Sequence, residues 1–322
     1  MAARRCRRGR GRGGDRRIVR GEAQVTSYYG RPVLKEPVWK VPDVPAYLYL
    51  GGMAGASSTM ALMADLTGRE QLARSGRLAA AVGASASVVA LVHDLHRPMR
   101  FLNMLRVFKP TSPLSVGSWI LAPFSGLAGA AAASDLTGLL PLPGRAAGAA
   151  AGVIAPAMTT YTAVLLADTA VPGWHEPYRE LPFVFAGSAL ASAGAVGMVA
   201  APAESAPARR MAVAGSVLEL TASRRMEERM GLSAEAYRTG RPGTVLRAAK
   251  AATAVGAGLA LLAGRSRAAG IASGACLTLG AIATRYGVFE AGRETARDPR
   301  YTVEPQRERV EEGRAVAGGG VH

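Results

Sequence analysis

At 322 residues, 49% apolar, only 19% charged and with a net charge of +16, the chain has the balance of a membrane protein rather than of a soluble enzyme. Two distant cysteines, Cys6 and Cys276, give no disulfide framework and no cluster-ligand spacing, and the four histidines are too few and too badly placed for haem. Any redox chemistry must therefore borrow its cofactor.

Residues 1–40 read as a basic, largely disordered cytoplasmic tail. No apolar segment follows its paired arginines until Val44, which argues against an export signal. Beside so much apolar sequence, the charge reads as an orientation signal near anionic headgroups rather than as a nucleic-acid-binding arm. A spanning helix needs about 20 mostly apolar residues, and six segments meet that test: Val44–Leu66, Arg77–Leu95, Leu114–Leu136, Ala146–Ala167, Leu181–Ala201 and Ala268–Ala291. Two weaker ones need charged side chains to snorkel: Met211–Ser223, which carries Glu219, and Thr244–Gly264, which opens with Arg247 and Lys250.

Eight spans put both termini on one side. If that side is the cytoplasm, it holds 30 of the 39 Lys and Arg, against 8 in the outside loops and Arg285 within the last span, as the positive-inside rule requires. The expected fold is an all-α integral membrane protein of the cell membrane. Residues 41–292 form an eight-helix bundle and residues 293–322 a polar cytoplasmic tail. Small-xxx-small pairs at Gly51/Gly55, Gly148/Gly152 and Gly270/Gly274 predict closely approaching helices.

Polar groups within a bilayer are costly, so where they gather bears on function. Most fall in the cytoplasmic half: Trp39 and Tyr47 entering span one, His93 and Asp94 leaving span two, Trp119 entering span three, Tyr161 and Asp168 on span four, Glu219 on span six and Arg285 on span eight. Tyr161 and Asp168 are seven residues apart and share a helix face, the tyrosine about 10 Å deeper. This geometry can deliver a proton to a ligand at Tyr161, and it equally suits an interfacial aromatic beside a loop-side acid. Arg285 lies within snorkelling reach of the interface, and Glu219 has Arg224 and Arg225 close behind, so an anchor and a local ion pair are the plain readings. At the outer ends Asp65-Leu66-Thr67-Gly68 and Asp135-Leu136-Thr137-Gly138 echo each other; each glycine is a helix stop, and a proton exit at the acids is a further reading. The soluble-enzyme signatures for phosphate loops, nucleophile elbows and zinc peptidases are absent.

The segment HDLHRPMRFLNMLRVFKPTSPLSVGSW (His93–Trp119) closely resembles the corresponding loop of the NrfD/PsrC family, the membrane subunits of polysulfide reductase-like molybdoenzymes. EPVWKVPDVPAYLYLGGMAGAS (Glu36–Ser57) and YTAVLLADTAVPGWHEPYRELPFVFAGS (Tyr161–Ser188) resemble two further stretches of it, and the similarity runs from Tyr28 to Gly292. The resemblance implies a quinone-reactive anchor without its own haem or cluster, docked to a ferredoxin-like iron–sulfur subunit and a molybdopterin catalytic subunit.

It further implies menaquinone or ubiquinone as exchangeable substrate, with Tyr161 matching the helix-four tyrosine and Trp39 the quinone-lining entry to helix one. With Tyr47, His93 and Arg100, these form the expected binding set; Asp94, Asp168 and Glu219 are the expected proton-handling acids. Arg97, Arg100 and Asn103 match the loop pattern and are assigned to docking or to polarising a quinone carbonyl. Trp39 and Lys40 stand where related chains can carry histidine or asparagine. Two other readings remain: a secondary transporter, which predicts inverted repeats and broken helices, and a purely structural anchor.

Overall fold

The computed structural model describes residues 33–95, 97 and 99–318, the side chains of residues 100, 309 and 311–318 excepted. Most of the basic tail, with Cys6, therefore lies outside the described residues, as do His96 and His322. Among the described residues the structure is helical with no strand. Eight long helices follow one another: α1 Asp43–Leu66, α2 Glu70–Asp94, α3 Pro113–Thr137, α4 Pro141–Ala167, α5 Leu181–Ala200, α6 Ala206–Arg229, α7 Gly240–Leu262 and α8 Arg267–Arg297. Every span expected from the sequence falls on one of them. A further long helix, α9 at Arg300–Gly318, runs through the segment expected to be a polar tail.

Local sequence sets these limits. Proline, which has no N–H to lose in a first turn, stands at the start of α3, α4, α5 and α6. Gly138 closes α3 in the left-handed conformation, φ 70°, where a side chain would be strained. Pro123 and Pro156 lie inside α3 and α4, which run on through them.

Six helices, α2, α3, α4, α5, α7 and α8, are long and apolar enough to cross a membrane. The sequence reading counted α1 among the six clear spans and α7 among the two weaker ones; by apolar composition α7 joins the set and α1 does not. α7 carries an apolar window of mean hydropathy 1.5. α1 falls outside the set by composition, being rich in Gly, Ser and Tyr; its buried residues run from Val44 to Ala64. α6, with five arginines and three glutamates, also falls outside.

Consecutive helices pair as α1/α2, α3/α4, α5/α6 and α7/α8. α4 closes onto α1 and α8 onto α5, so two four-helix halves meet along α1 and α5. Small residues permit the approach. A Cβ on Gly55 of α1 would strike Thr159 and the Ala155 carbonyl of α4, and one on Gly187 of α5 would strike the α6 backbone at Gly215 and Glu219.

The two ends of the bundle are tied differently. At the end where α1 begins, the proximal end, Trp39 stacks on Trp174 with centroids 5.4 Å apart, and both lie against Phe289. The Trp174 indole N–H donates to the Val288 carbonyl at 3.0 Å, and the Tyr237 hydroxyl donates to the Gly173 carbonyl at 2.7 Å. At the distal end Arg77 of α2 holds Asp65 of α1 at 2.5 Å and clasps both carboxylate oxygens of Asp135 of α3. The echoed Asp-Leu-Thr-Gly helix ends thus present two acids to one arginine, and an ion-paired clamp replaces the suggested proton exit.

Candidate functional site

A cavity of about 620 Å³ opens at the proximal end, between α3, α4 and the two connections that follow α2 and α4. Its walls come from Pro110, Thr111, Pro113 and Val116 on one side and from Tyr161, Val164, Ala167, Asp168, His175 and Tyr178 on the other. The lining is mainly apolar with a few convergent polar groups, the composition of a small-molecule site, and the volume lies in the range of such pockets.

Tyr161 sits at its inner end. Its ring packs edge-on to Tyr47, centroids 6.4 Å apart, and against Gly117 of α3, where a Cβ would run into the ring. Its hydroxyl is buried and has no hydrogen-bond partner. A buried phenol left without a partner forgoes a hydrogen bond worth about 1–3 kcal/mol, so the position favours a ligand that brings an acceptor. Asp168 caps the C-terminus of α4 two turns further out, exposed at the mouth. An acid at the negative end of a helix dipole gains nothing in stability from its place.

His175 joins Asp168 at the mouth. Its Nδ1 lies 2.8 Å from the Ala167 carbonyl, which can only accept, so the neutral ring carries its hydrogen there and keeps the Nε2 lone pair free. The imidazole stacks on Tyr178, and Arg179 both covers that ring and donates to its hydroxyl at 2.8 Å. The sequence reading placed His175 and Tyr178 inside a resembling segment but gave them no role. The one available signal was the density of aromatic and ionisable residues in Trp174–Arg179.

The protein-family profile described as polysulfide reductase matches residues 25–297. The chain belongs to the NrfD/PsrC family. Membership implies a membrane subunit of a molybdoenzyme complex, and with the apolar helices it makes this chain a multi-pass membrane protein. A search of curated proteins finds no match.

The other expected site residues of this chain disperse. Tyr47 is buried and touches the site only through the Tyr161 ring. Trp39 belongs to the Trp174–Phe289 stack and is not among the residues that line the cavity. His93 pairs through Nδ1 with Asp43 at 2.8 Å, and the Asp94 carboxylate accepts from the Lys40 backbone N–H at 2.9 Å, so both fasten the start of α1 to the end of α2. Arg100 opens a short helix, Arg100–Met104, and its side chain lies outside the described residues.

Arg97 and Asn103 are exposed on the same connection, and Trp119 meets Phe108 edge-on at 5.9 Å. Glu219 is in the other half of the bundle, buried between α6, α7 and α8. Its expected local ion pair does not form: Arg224 bonds Glu228 at 3.0 Å on the exposed face. Arg285 does not snorkel either, being only 1% exposed. Of the eight expected site residues, the cavity gathers Tyr161 and Asp168.

Proposed function

We propose that the chain is the quinone-reactive membrane subunit of an oxidoreductase complex and that menaquinone or ubiquinone is bound in the proximal cavity. All eight long helices cross the bilayer, α1 with most of its residues buried against its neighbours. Both termini and the proximal face lie on the cytoplasmic side, where the basic connections are. There an iron–sulfur subunit docks near Arg97, Arg100 and Asn103 and links the cavity to a molybdopterin enzyme.

The observation that carries this reading is the partnerless, buried Tyr161 hydroxyl at the inner end of a cavity whose mouth holds Asp168 and His175. A quinone carbonyl supplies the acceptor that this phenol lacks. Reduction of a quinone to a quinol takes up two electrons and two protons, and the electrons come from the docked partner. Asp168 and His175 stand between Tyr161 and water, where proton exchange is needed. The apolar walls from Pro110 to Val116 suit a ring and the first part of an isoprenoid tail.

Tyr161→Phe in the assembled complex tests this. It removes the hydroxyl and keeps the ring, so quinone-linked turnover should fall about tenfold, a loss of about 1.4 kcal/mol. Reduction of the partner enzyme by a soluble dye should be unchanged. Full quinone turnover in that variant removes Tyr161 from the site.

A further inference from the structure

The second half of the bundle buries charge where the first half has a cavity. Arg285 of α8 is 1% exposed and Glu219 of α6 is 3% exposed, both at mid-helix. The Glu219 carboxylate accepts from the Thr284 hydroxyl of α8 at 2.7 Å and the Thr253 hydroxyl of α7 at 3.5 Å. The Arg285 guanidinium lies 3.7 Å above the Phe185 ring, and its Nη2 donates to the Phe185 carbonyl at 2.8 Å. Its Nε and Nη1 have no partner.

Gly52 of α1 leaves the room for Nη2, and Tyr49 of the same helix faces the guanidinium and lies beside Thr278 and Ser192. Arg285 and Glu219 share no hydrogen bond or ion pair among the described residues. Two unmet guanidinium donors are groups that ordered water can satisfy, and a buried carboxylate held only by hydroxyls, with no cation bonded to it, is free to gain or lose a proton.

A polar line leads from this pair to the proximal end. Glu219, buried Ser223 and Glu227 repeat every four residues along one face of α6, each step about 6 Å. Glu227 ends the line, contacting Lys250 of α7 and, at 3.8 Å, Arg238. These are the charged groups that face the line; Arg285 and Tyr49 face its inner end. We propose that Glu219 is a hydrated proton-exchanging site in the core of the second half, opposed by Arg285 and filled from the proximal face past Ser223 and Glu227. It is separate from the cavity and does not draw on the quinone reading.

The test is infrared difference spectroscopy of the whole purified complex as pH is lowered, in H2O and in D2O. The wild type should show a protonated-carboxyl band that grows as pH falls and shifts in D2O. The band should be lost in Glu219→Gln and move in Glu219→Asp. Ser223→Val keeps the carboxyl and blocks the line, so after a pH jump the band should rise several-fold more slowly. A Glu219→Gln spectrum identical to wild type, or a band indifferent to D2O, overturns the site; an unslowed Ser223→Val overturns the route.

Discussion

The two four-helix halves are built alike and filled differently. In each, the fourth helix turns a large polar side chain toward the first: Tyr161 of α4 meets Tyr47 of α1, and Arg285 of α8 meets Phe185 of α5. A neutral phenol beside Gly117 leaves a cavity that opens outward. A guanidinium with Glu219, Thr253 and Thr284 makes a closed, charged core. The distal ties differ as well, since side-chain carboxylates hold Arg77 in the first half, whereas Arg267 in the second bonds the Met198 and Val199 carbonyls at 3.2 and 2.7 Å. Helix packing sets the frame, and residue chemistry decides which half holds an open cavity and which a buried charge.

The sharpest way to break this contrast is to remove Arg285. Arg285→Ala removes the bond to the Phe185 carbonyl, the packing on the Phe185 ring and the nearby positive charge from the buried Glu219 carboxylate, a loss of about 2–3 kcal/mol. Adding Glu219→Gln to that variant should restore part of the loss, because the two sites are coupled. Asp168→Ala in the first half should stay within about 0.5 kcal/mol. Thermal unfolding of the complex reads all of these, and equal losses at Arg285 and Asp168 would show that the halves do not differ in kind. Next in size is Gly117→Ala, whose Cβ drives the Tyr161 ring out of place at a cost of about 1–3 kcal/mol and with loss of quinone turnover. Gly126→Ala, on the same helix but with open space around it, should leave turnover unchanged. Smaller again is Arg77→Met at the distal clamp, about 1 kcal/mol once the partial exposure of Asp65 is taken into account.

The helices were legible because lipid and protein both demand long apolar runs, and Tyr161 with Asp168 was legible because seven residues on one helix fix a shared face. What the sequence did not show is how much of α1 packs on neighbouring helices, because hydropathy does not say whether an apolar run with Tyr and Ser faces lipid or protein. The rest of the site was not periodic. His175, Tyr178 and the wall from Pro110 to Val116 come from two connections that meet only in the folded chain. Trp39 was drawn toward Tyr161 by resemblance, but stacking on Trp174 and Phe289 outweighed that placement. Glu219 looked local because Arg224 and Arg225 follow it, yet helix geometry turns Arg224 to Glu228 and leaves Glu219 facing α8.

The smallest expected effect lies where the chain enters the bundle. Glu36 accepts from Arg297 at 2.5 and 3.0 Å and from Arg293 at 2.9 Å, strapping the segment before Trp39 to the end of α8. The hydrogen bonds from Arg297, then those from Arg293, hold its carboxyl below the usual carboxylate range. A lowered folded-state pKa means that the strap contributes fully above the unfolded carboxylate range and is lost as pH falls through the lowered value. Because the side chain is 43% exposed, solvent screening keeps the contribution below about 1 kcal/mol. Acidification should therefore loosen residues 33–40, seen as faster proteolysis there and a changed Trp39 fluorescence, before the helices themselves unfold. Glu36→Gln should show the loosened state at neutral pH and no further change on acidification. An acid-induced change that persists in Glu36→Gln would assign the strap to the aromatic stack of Trp39, Trp174 and Phe289 instead of to charge.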